Sequence, residues 1–246
     1  MATTEKALRE SIIAHSASIV AAGLGGPLGG DISARFEDSL LITPNRASFA
    51  GLRSAMIARM PLGGEYGAWK GPMKPTAEWR IHLDIARARP DIGGIVRFQS
   101  PFATALAMSG KPILAAHPVI ALFGTPIVRC ARYAPTGTKE LAGLTLEALD
   151  QSHAVLLSNY CALTTGATLE AALVRALELE ALARLYAIAL SLGRPAILSD
   201  EEVSRIGERL KSNGSDVEAR VAALVESRAK AKAPAKAKRV ARKRRS

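Results

Sequence analysis

The sequence predicts an α/β protein in which helices cover a sheet, and three observations carry that expectation. Strand-like and helix-like segments are interspersed without regular βαβ alternation, which favours a three-layer or α+β arrangement. Ala154-Val155-Leu156-Leu157 is apolar at every position, as in a strand covered on both faces. Thr168 to Leu192 is rich in alanine and leucine, apolar around its girth and closed by Gly193, so it reads as a long helix buried against the sheet.

The elements follow in order. Leu8, Ile12, His15 and Ile19 share one face of a helix over about Thr4–Ala22. Leu24 to Gly30 is a glycine-rich loop. Ile32, Ala34 and Phe36 alternate as in a half-buried strand, and Leu40–Thr43 reads as the returning strand. Residues 44–75 are turn-rich. Thr76 reads as the cap of a helix to about Arg89, with Pro90 ending it. Gly94–Phe98 is a short strand, Ser100-Pro101 opens a helix, and Ile127–Cys130 is a further strand. Thr138 caps a helix to about Leu149. Ser199–Glu202 and Ser215–Glu218 have capping-box spacing, so two more helices are expected there.

Composition narrows the function classes. The chain has 246 residues, 48% hydrophobic and 22% charged, enough for a buried core. Aromatics make up 4%, which disfavours a base-stacking nucleic-acid module. The formal net charge of +11 belongs to the end of the chain: Arg228–Ser246 holds ten basic residues and no acidic one, leaving 23 basic against 22 acidic residues elsewhere. Such a tail cannot bury enough apolar surface to fold alone and suits salt-dependent binding of nucleic acid or another polyanion. Cys130 and Cys161 form no disulfide framework and have no metal-site spacing. No signal-peptide layout and no apolar run of membrane-spanning length is present, so a cytoplasmic location is expected. Phosphate-loop, nucleophile-elbow and dinucleotide fingerprints are absent from the sequence.

Four segments, in order, resemble the class II aldolase/adducin family: Gly29-Gly30-Asp31-Ile32-Ser33-Ala34-Arg35 with Leu41-Ile42-Thr43-Pro44; Lys74-Pro75-Thr76-Ala77-Glu78-Trp79-Arg80-Ile81-His82 with Arg89-Pro90-Asp91; Tyr133-Ala134-Pro135-Thr136-Gly137-Thr138-Lys139-Glu140-Leu141; and Leu198-Ser199-Asp200-Glu201-Glu202. The resemblance spans roughly residues 5–212 and implies a three-layer α/β/α fold around a central, largely antiparallel sheet. It also implies a homo-oligomer, a tetramer with active sites between subunits. The expected division is a family domain over 1–212, a C-terminal helix over 213–227 and the basic tail over 228–246.

The family's chemistry uses a zinc-type ion held by three histidines, with a glutamate as general base. Here the matching positions read Arg97-Phe98-Gln99-Ser100-Pro101 for His-x-His-Ser-Pro and Tyr160-Cys161 for His-Gly, and Glu78 alone is retained from the metal-and-base set. The sugar-phosphate positions read Gly30-Asp31, Thr43-Pro44-Asn45-Arg46 and Thr76-Ala77. The resemblance therefore makes Glu78 a vestigial base and Asp31, Thr43, Arg46, Thr76, Arg97, Gln99 and Tyr160 ligand-binding positions, with Arg97 expected to pair with Glu78. Of the histidines elsewhere, His82 shares a helix face with Glu78 and is expected to pack inside the helix layer, while His117 has no evident partner. On this reading the chain has lost the metal site, needs no cofactor, and is non-catalytic or catalytically diverged. The alternative is a carbon–carbon lyase, an aldolase or decarboxylase, acting on a small hydroxy or oxo acid or a sugar phosphate, with zinc or another divalent metal entering only in that case.

Overall fold

The computed structural model describes residues 4–25, 30–45 and 49–212. The expected helix from Ser215, the basic tail, Arg46 and Gly29 lie outside the described residues. The first helix, α1 (Glu5–Ala21), is capped by the Thr4 hydroxyl. It leads to β1 (Asp31–Phe36), β2 (Ser39–Ile42) and β3 (Ala58–Pro61). Then come α2 (Trp79–Ala88), β4 (Gly94–Phe98) and α3 (Pro101–Met108). The short strands β5 (Ile113–Leu114), β6 (Ile127–Val128) and β7 (Cys130–Ala131) precede α4 (Lys139–Leu149). The chain continues through β8 (Ala154–Leu157), β9 (Cys161–Gly166), α5 (Leu169–Leu192) and α6 (Asp200–Ser212).

Seven strands form the main sheet in the order β3-β2-β1-β4-β9-β8-β7, and every neighbouring pair except the parallel β7–β8 pair is antiparallel. The expected three-layer arrangement is what forms. The alternation of β4 shows why: Val96 and Phe98 face the core shared with α1, α3 and α5, whereas Ile95 faces the one shared with α2 and α4. β8 divides likewise, Ala154 and Leu156 to one side, Val155 and Leu157 to the other. Glycine lets α5 lie close on the sheet, since a Cβ on Gly94 would stand 2.5 Å from the Leu169 Cα.

Three local expectations are corrected. Thr76 does not cap α2, which begins at Trp79 with Glu78 at the cap position and no side-chain cap bond. The strand expected over Ile127–Cys130 divides into β6, in a separate two-stranded sheet, and β7, in the main one. β9, between β4 and β8, was not foreseen at all. No helix among the described residues is long and apolar enough to cross a membrane.

Candidate functional site

The site forms on the α2/α4 side of the sheet, where odd-numbered residues of β1 and β4 point. Asp31 and Arg97 are direct register partners across β1 and β4, so their side chains rise side by side on that face. The Arg97 Nε donates to Asp31 Oδ1 at 2.8 Å, and its Nη2 donates to Oδ2, giving a two-pronged ion pair. His82, fully buried on α2, places Nε2 at 2.8 Å from Asp31 Oδ1, and the Thr76 hydroxyl donates to Oδ2 at 2.8 Å. With Asp31 ionised, His82 Nε2 carries the proton and its Nδ1 accepts the Ser33 hydroxyl at 2.8 Å. Ser33, His82 and Asp31 thus stand in the order of a hydrolytic triad. Ser33 and His82 are wholly buried, however, so the hydroxyl has no route to a substrate and the string serves to fix Asp31.

Burial alone would push the Asp31 carboxyl up. The Arg97 charge and the His82 hydrogen bond outweigh it and hold the carboxyl far below the usual carboxylate range. The same pair works in reverse on Arg97: burial opposes its charge, and Asp31 restores it. Both groups are therefore ionised in a dry environment, and each depends on the other.

Glu78 follows Thr76 by two residues, and its amide donates to the Thr76 hydroxyl at 3.4 Å. Glu78 is buried, 3% exposed as a residue, and its carboxylate accepts the Tyr160 hydroxyl at 3.0 Å on Oε1 and the Gly137 amide at 3.2 Å on Oε2. Gly137 has φ +74, a left-handed conformation suited to glycine, and this turns its amide toward Glu78 just before α4. The Gly137 carbonyl accepts Arg80 Nε at 3.1 Å. The guanidinium carbon of Arg97 lies 5.0 Å over the centre of the Tyr160 ring. Burial raises the Tyr160 hydroxyl above its ordinary pKa; Arg97 lowers it and Glu78 adds to the rise. Beside Arg97, burial pushes the Cys161 thiol up to about 12, so it is an inert neighbour.

The structure brings Asp31, Thr76, Glu78, Arg97, Gln99 and Tyr160 together. Gln99 is half-buried, its side chain donating to the Tyr160 carbonyl at 3.4 Å. The Thr43 hydroxyl accepts the Ile32 amide at 3.1 Å and serves the backbone of β1. Arg46 lies outside the described residues. The expected Arg97–Glu78 pair is replaced by Arg97–Asp31, because register puts Asp31 directly opposite Arg97 whereas Glu78 enters from the start of α2. Sequence reasoning missed the contact of Gly137 with Glu78 and the convergence of His82 on Asp31. The i, i+4 spacing of Glu78 and His82 was the available signal for the latter. His117 is exposed, and its Nδ1 accepts the Val119 amide at the start of a 3₁₀ turn.

A helix-covered, largely antiparallel sheet with a carboxylate held by a tyrosine hydroxyl and a loop amide defines a class of α/β/α proteins with one polar centre on the sheet face. Within that class, the chain belongs to the class II aldolase and adducin family, whose N-terminal domain model matches residues 10–187. It is 39% identical over 212 residues to a 5-methylthioribulose-1-phosphate/5-deoxyribulose-1-phosphate aldolase of Rhodospirillum rubrum, covering 86% of this chain and 95% of that one. It is 32% identical over 212 residues to an L-fuculose phosphate aldolase of Escherichia coli K12, covering 86% and 97%. A solved L-fuculose 1-phosphate aldolase superposes with a TM-score of 0.80 at 31% identity, covering 86% of this chain and 98% of that one.

These relatives overturn two expectations. Proteins named as aldolases match most of the chain, so the non-catalytic reading is replaced by its alternative, a carbon–carbon lyase. The expectation of no cofactor falls with it, because zinc-dependent chemistry belongs to the family. The residues at the ligand positions do not fit that ion, though. Arg97 cannot deprotonate to bind a cation, Gln99 and Tyr160 are poor substitutes for imidazole, and among the described residues no group of three or more His, Cys, Asp or Glu side chains could hold a metal.

Proposed function

We propose that the chain is an aldolase-type carbon–carbon lyase acting on a small polyhydroxylated ketone or its phosphate, with Glu78 carrying the proton. The observation that supports this most is the Glu78 carboxylate itself, buried, retained at the family's base position, and oriented by Tyr160 and Gly137. Among the described residues each oxygen accepts a single donor, so each keeps room for a substrate proton. In the cleavage direction the hydroxyl β to the ketone loses its proton to a base. The bond between the α and β carbons breaks to release an aldehyde, and its electron pair becomes an enediolate. Proton return to the enediolate gives the second product. Glu78 is the group placed to take and return the proton, and the Arg97–Tyr160 stack puts a cation and a hydroxyl donor beside it.

The test is aldehyde release from 5-deoxyribulose 1-phosphate, fuculose 1-phosphate and their unphosphorylated ketoses. Cleavage by the wild-type chain and a loss of roughly 10²–10⁴-fold in Glu78→Gln support the reading. No cleavage of any of these ketoses, or an unchanged rate in the variant, overturns it.

Two further assignments belong to the same proposal. The chain is a homo-oligomer, a tetramer by family likeness, and the exposed Leu185, Ile188 and Leu192 along one side of α5 supply apolar surface for contact between copies. The division into a family domain over 1–212, a C-terminal helix over 213–227 and a polyanion-binding tail over 228–246 rests on composition: ten basic residues without an acidic one.

A further inference from the structure

We infer that Arg80 is a positioning residue for Glu78: its side chain holds the loop before α4 so that the Gly137 amide fixes the plane of the Glu78 carboxylate. The inference rests on reading Glu78 as the group that carries the proton.

Gly137 is gripped at both ends by one stretch of chain. Its amide donates to Glu78 Oε2 at 3.2 Å and its carbonyl accepts Arg80 Nε at 3.1 Å, so side chains two residues apart at the start of α2 hold a single loop residue. The second grip matters because the residue held is a glycine at φ +74, whose flanking peptides have no side chain to stop them turning. The neighbouring Thr138 works within its own loop and helix: its hydroxyl donates to the Pro135 carbonyl and accepts the Leu141 amide. Those bonds do not reach α2, whereas the Arg80 bond ties the loop to the helix that follows Glu78.

Arg80 is itself aimed. Its guanidinium carbon lies 4.3 Å over the centre of the Trp79 ring and 5.5 Å over that of Tyr66, and the two ring centres stand 5.2 Å apart. The Tyr66 hydroxyl donates to Asp84 at 2.9 Å, one turn along α2 from Arg80, which ties that ring to the helix carrying the arginine. A stacked guanidinium has lost the freedom to swing, so its inner nitrogen stays on the Gly137 carbonyl. The consequence falls on Glu78. Among the described residues its carboxylate accepts Tyr160 on Oε1 and Gly137 on Oε2, so loss of the loop contact leaves one pivot about which the soft terminal torsion turns. A base turned out of line with its proton costs rate rather than binding.

The test separates the hydrogen bond from the charge with two variants of matched length. Arg80→Gln keeps an N–H donor as many bonds from Cα as Arg80 Nε, whereas Arg80→Met keeps the length and has no donor. In ketose cleavage, Arg80→Met should lower kcat by about tenfold with KM within about twofold, and Arg80→Gln should turn over about fivefold faster than Arg80→Met. In protein labelled with ¹⁵N, the Gly137 amide should exchange with deuterium about tenfold faster in Arg80→Met than in wild type, with the Ile85 amide inside α2 unchanged. Equal kcat in the two variants overturns the inference, as does a Gly137 amide that exchanges at the wild-type rate in Arg80→Met. An equal rise at Ile85 also overturns it, since that marks a general loosening of α2. A wild-type chain that cleaves no ketose defeats the functional reading instead, and exchange at Gly137 and Ile85 then decides the positioning role on its own.

Discussion

Arg97 gives its fork to Asp31 across one rung of the β1–β4 ladder, and Glu78, two residues after the Thr76 that also donates to Asp31, is bound by Tyr160 and Gly137. The two carboxylates of the site are thereby separated by role. Asp31 is buried, ion-paired and saturated, a fixed charge that orders the sheet face. Glu78 is equally buried, and among the described residues its carboxylate is held by two neutral donors, the Tyr160 hydroxyl and the Gly137 amide.

Breaking the Asp31–Arg97 pair from either side should be costly, because the surviving ion is buried without a counter-charge. Arg97→Met or Asp31→Ala should lose about 3–5 kcal/mol in urea unfolding, and the double variant should lose less than the sum. The Asp31 carboxyl is depressed in the folded state, so its contribution is fully present above the ordinary carboxylate range and is lost as pH falls through that range toward the folded value. Asp31→Asn should flatten the acid limb of the stability profile by that contribution. An acid limb identical to wild type would contradict the assignment.

Glycine substitutions should separate close approach from open space. A Cβ on Gly30 would stand 2.2 Å from the Arg97 carbonyl oxygen, and one on Gly94 would meet the α5 backbone. Alanine at either position should cost about 1–3 kcal/mol or more by forcing backbone apart. Gly143, exposed on α4 with nothing within 4 Å, should behave oppositely: Gly143→Ala should stabilise by about 0.5–1 kcal/mol. Thermal unfolding of the three variants reads all three signs.

What the sequence shows and what it conceals follow from the range of the interactions. Local chemistry is legible: the Thr138 cap before α4 and the apolar run of β8 stand as expected. β9 was hidden because Cys161–Gly166 is buried at every position and ends in Thr-Thr-Gly, so it has neither alternation nor a purely apolar run. The resemblance put Tyr160 in one site with Arg97, but the β4–β9 pairing that holds them side by side was not read. The Asp31–Arg97 pair was hidden for another reason: it joins residues 66 apart, and only the pairing of β1 with β4 brings them together. Thr76, a good cap by residue type, instead donates its hydroxyl to Asp31 and accepts the Glu78 amide, and α2 begins at Trp79.

The ten positive charges of the basic tail offer a separate test. Counterion release makes binding by such a segment fall steeply with salt, and its lack of aromatics removes base stacking as a source of sequence preference. Deleting residues 228–246 should abolish retention on heparin at low salt while leaving ketose cleavage intact. Equal retention of the truncated chain would place polyanion binding on the body instead.

The last prediction concerns the Tyr160 hydroxyl. Burial raises its pKa above the ordinary tyrosine value, with Arg97 pulling it down and Glu78 pushing it up. Tyr160 should therefore remain a neutral donor to Glu78 while ordinary tyrosines ionise near pH 10, roughly the unperturbed value. Following the phenolate absorption band should show Tyr160 titrating late, with Tyr160→Phe used to separate its signal from that of Tyr66, whose hydroxyl burial and Asp84 also raise. Glu78→Gln removes a negative charge at hydrogen-bond distance and should bring that titration down. Arg97→Met removes a stacked cation and should drive it further up. The sign for stability follows. A raised folded pKa contributes stability that is complete below the unfolded tyrosine value and is lost as pH rises through the folded one, so alkaline destabilisation should begin near the ordinary range and be weaker in Tyr160→Phe. A Tyr160 that ionises with the bulk, or shifts of the opposite sign in the two variants, would show that the hydroxyl is not lodged between Arg97 and Glu78.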